Sequence, residues 1–299
     1  MSRPFPSYTK TYHHTPSPTI SPSRPALSAS GKSILITGGG AGMGVQNALA
    51  FAEAGASHIA LLGRRLEPLL STKTLLNHHF PTVDVFTASV DIGIKQQVDT
   101  AFADFTSHTH GRKIDVLISN AAAIGPLESL GHTPVDEISS YIAASIKGAA
   151  YLADAFLRHR APRDAVVVNV SSANAYLNLV PKYLSYGVAK AAIARLWDTV
   201  LFTNQGELCV YHTQPGIVDT GMNQEFRGGA PKDERVADEA SLPANFNAWL
   251  ASPEARFLNG RFVWANWDVD ELLARKEEIE KSEDLKVSCV GWMRYGPTA

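Results

Sequence analysis

From Lys32 to Ala265, short runs of β-branched and apolar residues alternate with longer stretches whose apolar positions recur every three or four residues. The runs 33–37 (SILIT), 58–62 (HIALL), 83–88 (VDVFTA), 114–119 (IDVLIS), 165–170 (AVVVNV), 208–213 (LCVYHT) and 261–265 (RFVWA) predict strands. The stretches 42–54, 65–78, 94–108, 134–159, 183–202 and 240–251 predict helices. Several strand runs are apolar at consecutive positions, so both of their faces must be covered, as in a parallel sheet held between two helical layers. The alternation therefore predicts a doubly wound α/β fold, three-layered and Rossmann-like, in a single domain spanning 32–267. Ligands in such a fold bind beyond the carboxyl ends of the strands.

The flanks have a different texture. Residues 1–31 are crowded with Pro, Ser and Thr and hold no acidic residue, which predicts a flexible or surface-draped arm that gains little order from burial. Residues 268–299 contain the charged helical pattern DELLARKEEIEKSED and predict a peripheral C-terminal helical extension. Composition adds exclusions. With 299 residues, 45% hydrophobic, 19% charged and a net charge of -2, the chain can bury a large core but offers no electrostatic footprint for nucleic acid or an acidic membrane. No apolar run approaches the roughly 18 to 20 residues that cross a bilayer. Cys209 and Cys289 are far apart and fit neither a disulfide framework nor a thiolate metal site. Neither His212 nor the pair His13-His14 has ligand spacing, so no metal is expected. The picture is a cytoplasmic protein that works on small molecules.

The chemistry begins at SILITGGGAGMG, a strand running into a glycine-rich turn that opens a helix, with a second strand about 20 residues on. Gly38, Gly42 and Gly44, with Met43 at the helix start, would let a pyrophosphate approach the positive helix end. Later, SYGVAK sets Tyr186 and Lys190 one turn apart on one helix face. Ser172 ends the strand 165–170 and reaches the same edge of the sheet. A phenol with a pKa of about 10 releases its proton poorly near neutrality, and an adjacent ammonium lowers that value. The set reads as a proton-transfer group, with Tyr186 as general acid toward a carbonyl or base toward an alcohol, and Ser172 donating to the same oxygen.

Thr37, Gly38, Gly42 and Gly44, spaced TGxxxGxG, together with SYGVAK, resemble the short-chain dehydrogenase/reductase family over about residues 32 to 265. The resemblance implies a nicotinamide dinucleotide whose ribose hydroxyls Lys190 also holds. It implies that Asp91 bonds the adenine amino group, with an N-cap for the helix 94–108 as the alternative. Asn120 and Ala121, in SNAAAIG where the family usually has NNAG, would line the adenosine side. In QPGIVDTGM, Pro215 and Gly216 would set a turn, and the Ile217 and Val218 backbone with the Thr220 hydroxyl would hold the carboxamide. Homodimers or homotetramers through the helices 134–159 and 183–202 are a further implication.

After the second strand, where an NAD enzyme carries an acid, this chain has Gly63-Arg64-Arg65. A guanidinium can bind a 2′-phosphate bidentately, which predicts NADP(H); a merely solvated helix start is the alternative. One departure concerns Ser145, which stands where the family has a catalytic asparagine whose carbonyl holds a relay water. Serine can bond back to the preceding turn and keep the carbonyl available. The segment 219–243 reads as a substrate lid. Met222 and Phe226, with Asn174, Tyr176 and Tyr183, suggest a fairly large apolar or aromatic compound. The expected function is an NADPH-dependent carbonyl reductase resembling those of secondary metabolism. A non-redox cyclase, dehydratase or isomerase on the same scaffold and a dinucleotide-sensing binding protein are the alternatives.

Overall fold

The computed structural model describes residues 7–127, 130–179, 181–227 and 237–289; the part of the expected lid at 228–236 lies outside the described residues. Seven strands are described: β1 (Ser33–Thr37), β2 (His58–Gly63), β3 (Asp84–Ser89), β4 (Val116–Ser119), β5 (Ala165–Val170), β6 (Leu208–Gln214) and β7 (Phe262–Trp264). They form one sheet in the order β3-β2-β1-β4-β5-β6-β7, and every neighbouring pair is parallel. The helices between them are α1 (Met43–Glu53), α2 (Leu66–His79), α3 (Lys95–His108), α4 (Val135–His159), α5 (Leu184–Thr203), α6 (Gly221–Arg227) and α7 (Ser241–Leu250). Two short helices, α8 (Val269–Ala274) and α9 (Lys276–Lys281), follow β7.

Strand periodicity divides the core in two. In β1, Ile34 and Ile36 join a cluster with Phe51 of α1 and Phe246 and Trp249 of α7, while Leu35 faces Phe102, Phe105, Phe156 and Trp197 of α3, α4 and α5. All five residues of β1 and all six of β5 are buried, as expected of strands covered on both faces. Because β1 has β2 on one side and β4 on the other, the chain reverses its winding between β1 and β4. The carboxyl ends of those strands therefore diverge into a crevice, the usual ligand position in such sheets.

The expectation that the N-terminal arm gains little from burial fails for residues 7–31. Ile20 and Leu27 are buried and belong to the cluster beneath α7, each on a short 3-10 turn at Pro18–Ile20 and Pro25–Leu27. Arg24 forms a paired contact with Glu254, the Lys10 and Thr11 amides donate to Glu271, and Tyr12 bridges Trp267. Proline-rich chain cannot hydrogen-bond to itself as a helix, but it can be ordered by partners elsewhere. The start of the C-terminal extension is likewise held: Leu272 and Ile279 are fully buried against the same cluster.

Candidate active site

The turn after β1 is built on close approach. Gly38 and Gly42 have φ of +71° and +52°, and a Cβ on Gly44 would lie 2.0 Å from the Gly38 carbonyl oxygen. Only glycine lets α1 start this near the strand. No side chain caps α1 at Gly42, so its first turn presents backbone N–H groups. Thr37 is fully buried, and its hydroxyl accepts from the Asn120 and Ala121 amides at 3.0 and 2.9 Å while donating to Ile118 O at 3.3 Å. Asn120 Nδ2 donates to Thr37 O at 2.9 Å. The Thr37 side chain is consumed by this clamp, so it shapes the crevice by joining the ends of β1 and β4 and not by facing a ligand. Thr220 closes the far side, its Cγ2 being 3.2 Å from where a Gly42 Cβ would stand. The segment after β6 and the glycine turn therefore share one crevice.

Arg64 and Arg65 follow β2 and are exposed, and neither guanidinium has a hydrogen bond or ion pair among the described residues. Asp91 Oδ1 accepts the Gly93 amide at 2.8 Å, so this carboxylate does shape the turn before α3, whose N-cap is Ile94.

Ser172, Tyr186 and Lys190, the residues expected to move a proton, meet where β5 ends and α5 begins. Ser172 Oγ accepts from Asn174 through its backbone N at 3.3 Å and its side-chain Nδ2 at 3.2 Å, leaving the Ser172 hydrogen to be donated. Tyr186 is buried and hydrogen-bonded to Ser172. Burial pushes its phenol above the usual tyrosine range, the Ser172 bond opposes this, and neighbouring Tyr141 and Tyr183 add to the rise. Lys190 Nζ donates to Val170 O at 2.8 Å and lies over the Tyr186 ring, 5.7 Å from its centroid. Burial pulls the Lys190 ammonium down from 10.5 to about 8. The sequence alone predicts an ammonium that lowers the phenol. Here the ammonium sits over the ring face, bound to a carbonyl, and is not among the leading influences on the hydroxyl.

The sequence model of the family described as short chain dehydrogenase matches residues 32–230. This chain is a short-chain dehydrogenase/reductase. It is 35% identical to a "Short chain dehydrogenase/reductase" of Claviceps purpurea over 92% of this chain and 91% of that protein. It is 32% identical to "Short chain dehydrogenase/reductase nsrO" of Aspergillus novofumigatus over 92% and 93%. The fold is shared with a Shigella flexneri chain assigned as a short chain dehydrogenase and complexed with NADP, at a TM-score of 0.71 and 19% identity, covering 81% of this chain and 99% of that one.

Within this short-chain dehydrogenase, the Ser145 hydroxyl donates to Tyr141 O at 2.8 Å, the back-bond anticipated for serine. Ser145 and Lys190 line a small cavity of about 20 Å³, with Ser119 and Asn169 as further polar walls. That volume accommodates one water molecule. Asn169 Nδ2 also lies 3.0 Å from His212 Nδ1, and His212 Nε2 lies 2.9 Å from Asp198 Oδ1, so His212 is a satisfied buried histidine. Among the described residues, no cluster of three or more His, Cys, Asp or Glu could hold a metal ion.

Sequence reasoning did not single out Tyr141, whose hydroxyl donates to Ala123 O at 2.7 Å and pins the irregular segment following β4. Its signal was available, since Tyr141 lies four residues before Ser145 on a helix and so shares its face. Asp238 was also missed. It binds the loop after β6 from 21 residues away, and no local pattern announces that contact.

Proposed function

We propose that this short-chain dehydrogenase is an NADPH-dependent carbonyl reductase acting on a fairly large apolar or aromatic small molecule. The observation that carries the reading is the convergence of Ser172, Tyr186 and Lys190, with the Ser172 hydrogen left to donate by the two Asn174 contacts. The residues fit a dinucleotide. The glycine turn allows close backbone approach, α1 offers uncapped amides, and two uncommitted guanidiniums stand at the end of β2, where an adenosine 2′-phosphate would call for cations.

When bound, the dinucleotide supplies the hydride. Gly38, Gly42, Met43 and Gly44 would hold the pyrophosphate, Arg64 and Arg65 the 2′-phosphate, and Asp91, Asn120 and Ala121 the adenosine side. Pro215, Gly216, Val218 and Thr220 would hold the nicotinamide side. Ser172 Oγ donates to the carbonyl oxygen and stabilises charge as it grows there. Tyr186 Oη gives its proton to that oxygen. A phenol raised by burial suits this direction, because it stays protonated until a negative oxygen needs it. Lys190 holds the β5 end in place through Val170 and borders the one-water cavity beside Ser145. Assembly through α4 and α5, residence in the cytoplasm and a role in secondary metabolism belong to the same proposal.

The test is NADPH oxidation followed by absorbance with a panel of aromatic ketones. Tyr186→Phe is expected to lower turnover by about 10² to 10⁴-fold with substrate binding retained. Intact turnover in that variant would refute the reading, and product formed with no NADPH consumed would assign the site to non-redox proton transfer.

A further inference from the structure

The loop after β6 is held from outside the motifs described so far. The Ile217 amide donates to Asp238 Oδ2 at 2.6 Å, and the Asp238 amide donates to Ile217 O at 2.9 Å. The Asp238 side chain is only 3% exposed. Gly216, with φ of +88°, passes so close that a Cβ there would be 2.3 Å from Asp238 Oδ2. The second carboxylate oxygen is met by the N-terminal arm: His14 Nδ1 lies 2.6 Å from Asp238 Oδ1.

The arm is itself fixed where it makes this contact. His13 exchanges hydrogen bonds with Asn266, from His13 N to Asn266 O at 2.7 Å and from Asn266 Nδ2 to His13 O at 2.9 Å. His13 Nε2 contacts Asp268 Oδ2 at 2.7 Å, and the Glu239 amide donates to His14 O at 2.9 Å. His13 and His14 thus tie the chain leaving β7 to the limb that enters α7, with Asp238 between them and the loop. A buried carboxylate deprived of a donor is costly, and its recourse is to turn toward water, which would release the Ile217 amide.

We propose that the N-terminal arm is part of the site: His14, acting through Asp238, positions the Gly216–Val218 backbone and so governs how firmly this loop receives the nicotinamide half of a dinucleotide. The loop's role in that statement rests on the function proposed above; the positioning itself does not. His14 is a positioning residue.

The experiment compares the full chain with His14→Ala and His14→Asn, whose Nδ2 can take the place of the imidazole Nδ1. In the ligand-free proteins, hydrogen exchange at Ile217 should quicken by about tenfold or more in H14A, as follows from losing a hydrogen bond to a charged group, and return toward wild type in H14N. Affinity for NADPH, read by fluorescence, should fall by about tenfold in H14A, while affinity for adenosine 2′,5′-bisphosphate, which lacks the nicotinamide half, stays unchanged. Unaltered Ile217 exchange in H14A overturns the proposal, and so does an equal loss of affinity for both ligands. A wild-type chain that binds neither ligand removes the dinucleotide part together with the proposed function, while the exchange data still decide whether His14 positions the loop.

Discussion

Lys190 illustrates what burial does to a single charge. Its folded pKa of about 8 lies below the 10.5 of an exposed lysine, so between these values the unfolded chain binds the extra proton. Stability therefore rises with pH across that window, and below it the buried ammonium costs on the order of 3 kcal/mol. Replacing Lys190 with Met removes this pH dependence and also the bond to Val170. The stability of the variant relative to wild type, measured by denaturant titration, should fall by up to about 3 kcal/mol as pH rises from 8 to 10.5. Parallel curves would contradict the assignment. Under the proposed function, the exposed Arg64 and Arg65 at the end of β2 would carry the choice of cofactor. Converting both to alanine should weaken NADPH binding by about tenfold or more, with NADH affinity little changed, in a direct binding titration.

Among the elements, the strands and long helices follow from local periodicity, and the N-terminal arm does not. Its prolines leave it only two short 3-10 turns, and its order comes from Ile20 and Leu27 entering the core cluster that α7 also lines. Ile20→Ala removes a fully enclosed side chain and should destabilise the whole fold by about 2 to 5 kcal/mol, read as a shift in the urea midpoint with an unchanged slope. A freely moving arm would show no effect. The glycine turn makes a related point about spacing. The pattern TGxxxGxG identifies the element, but the reason for Gly44 is a contact with the Gly38 carbonyl that only the folded turn creates.

For the molecule as a whole, the order of strands and helices, the parallel sheet and the edge where the site forms were legible because each depends on short-range pattern. Alternation over five or six residues specifies a strand, recurrence over a dozen specifies a helix, and their succession admits few chain paths. The same holds for the candidate residues Ser172, just past β5, and Tyr186 and Lys190, in the first two turns of α5, because the alternation already dictates the directions of those elements. Other features depended on where distant segments close on one another. Lys190 comes to rest over the Tyr186 ring because Val170 offers a carbonyl there. His14 meets Asp238 across 224 positions of chain, and Thr37 spends its hydroxyl on Asn120 and Ala121. Side-chain pattern determines which face of each element is buried. Which polar groups meet once those faces are buried is settled by the packing itself, because a hydrogen bond needs its partners within about 3 Å and no periodicity carries that information.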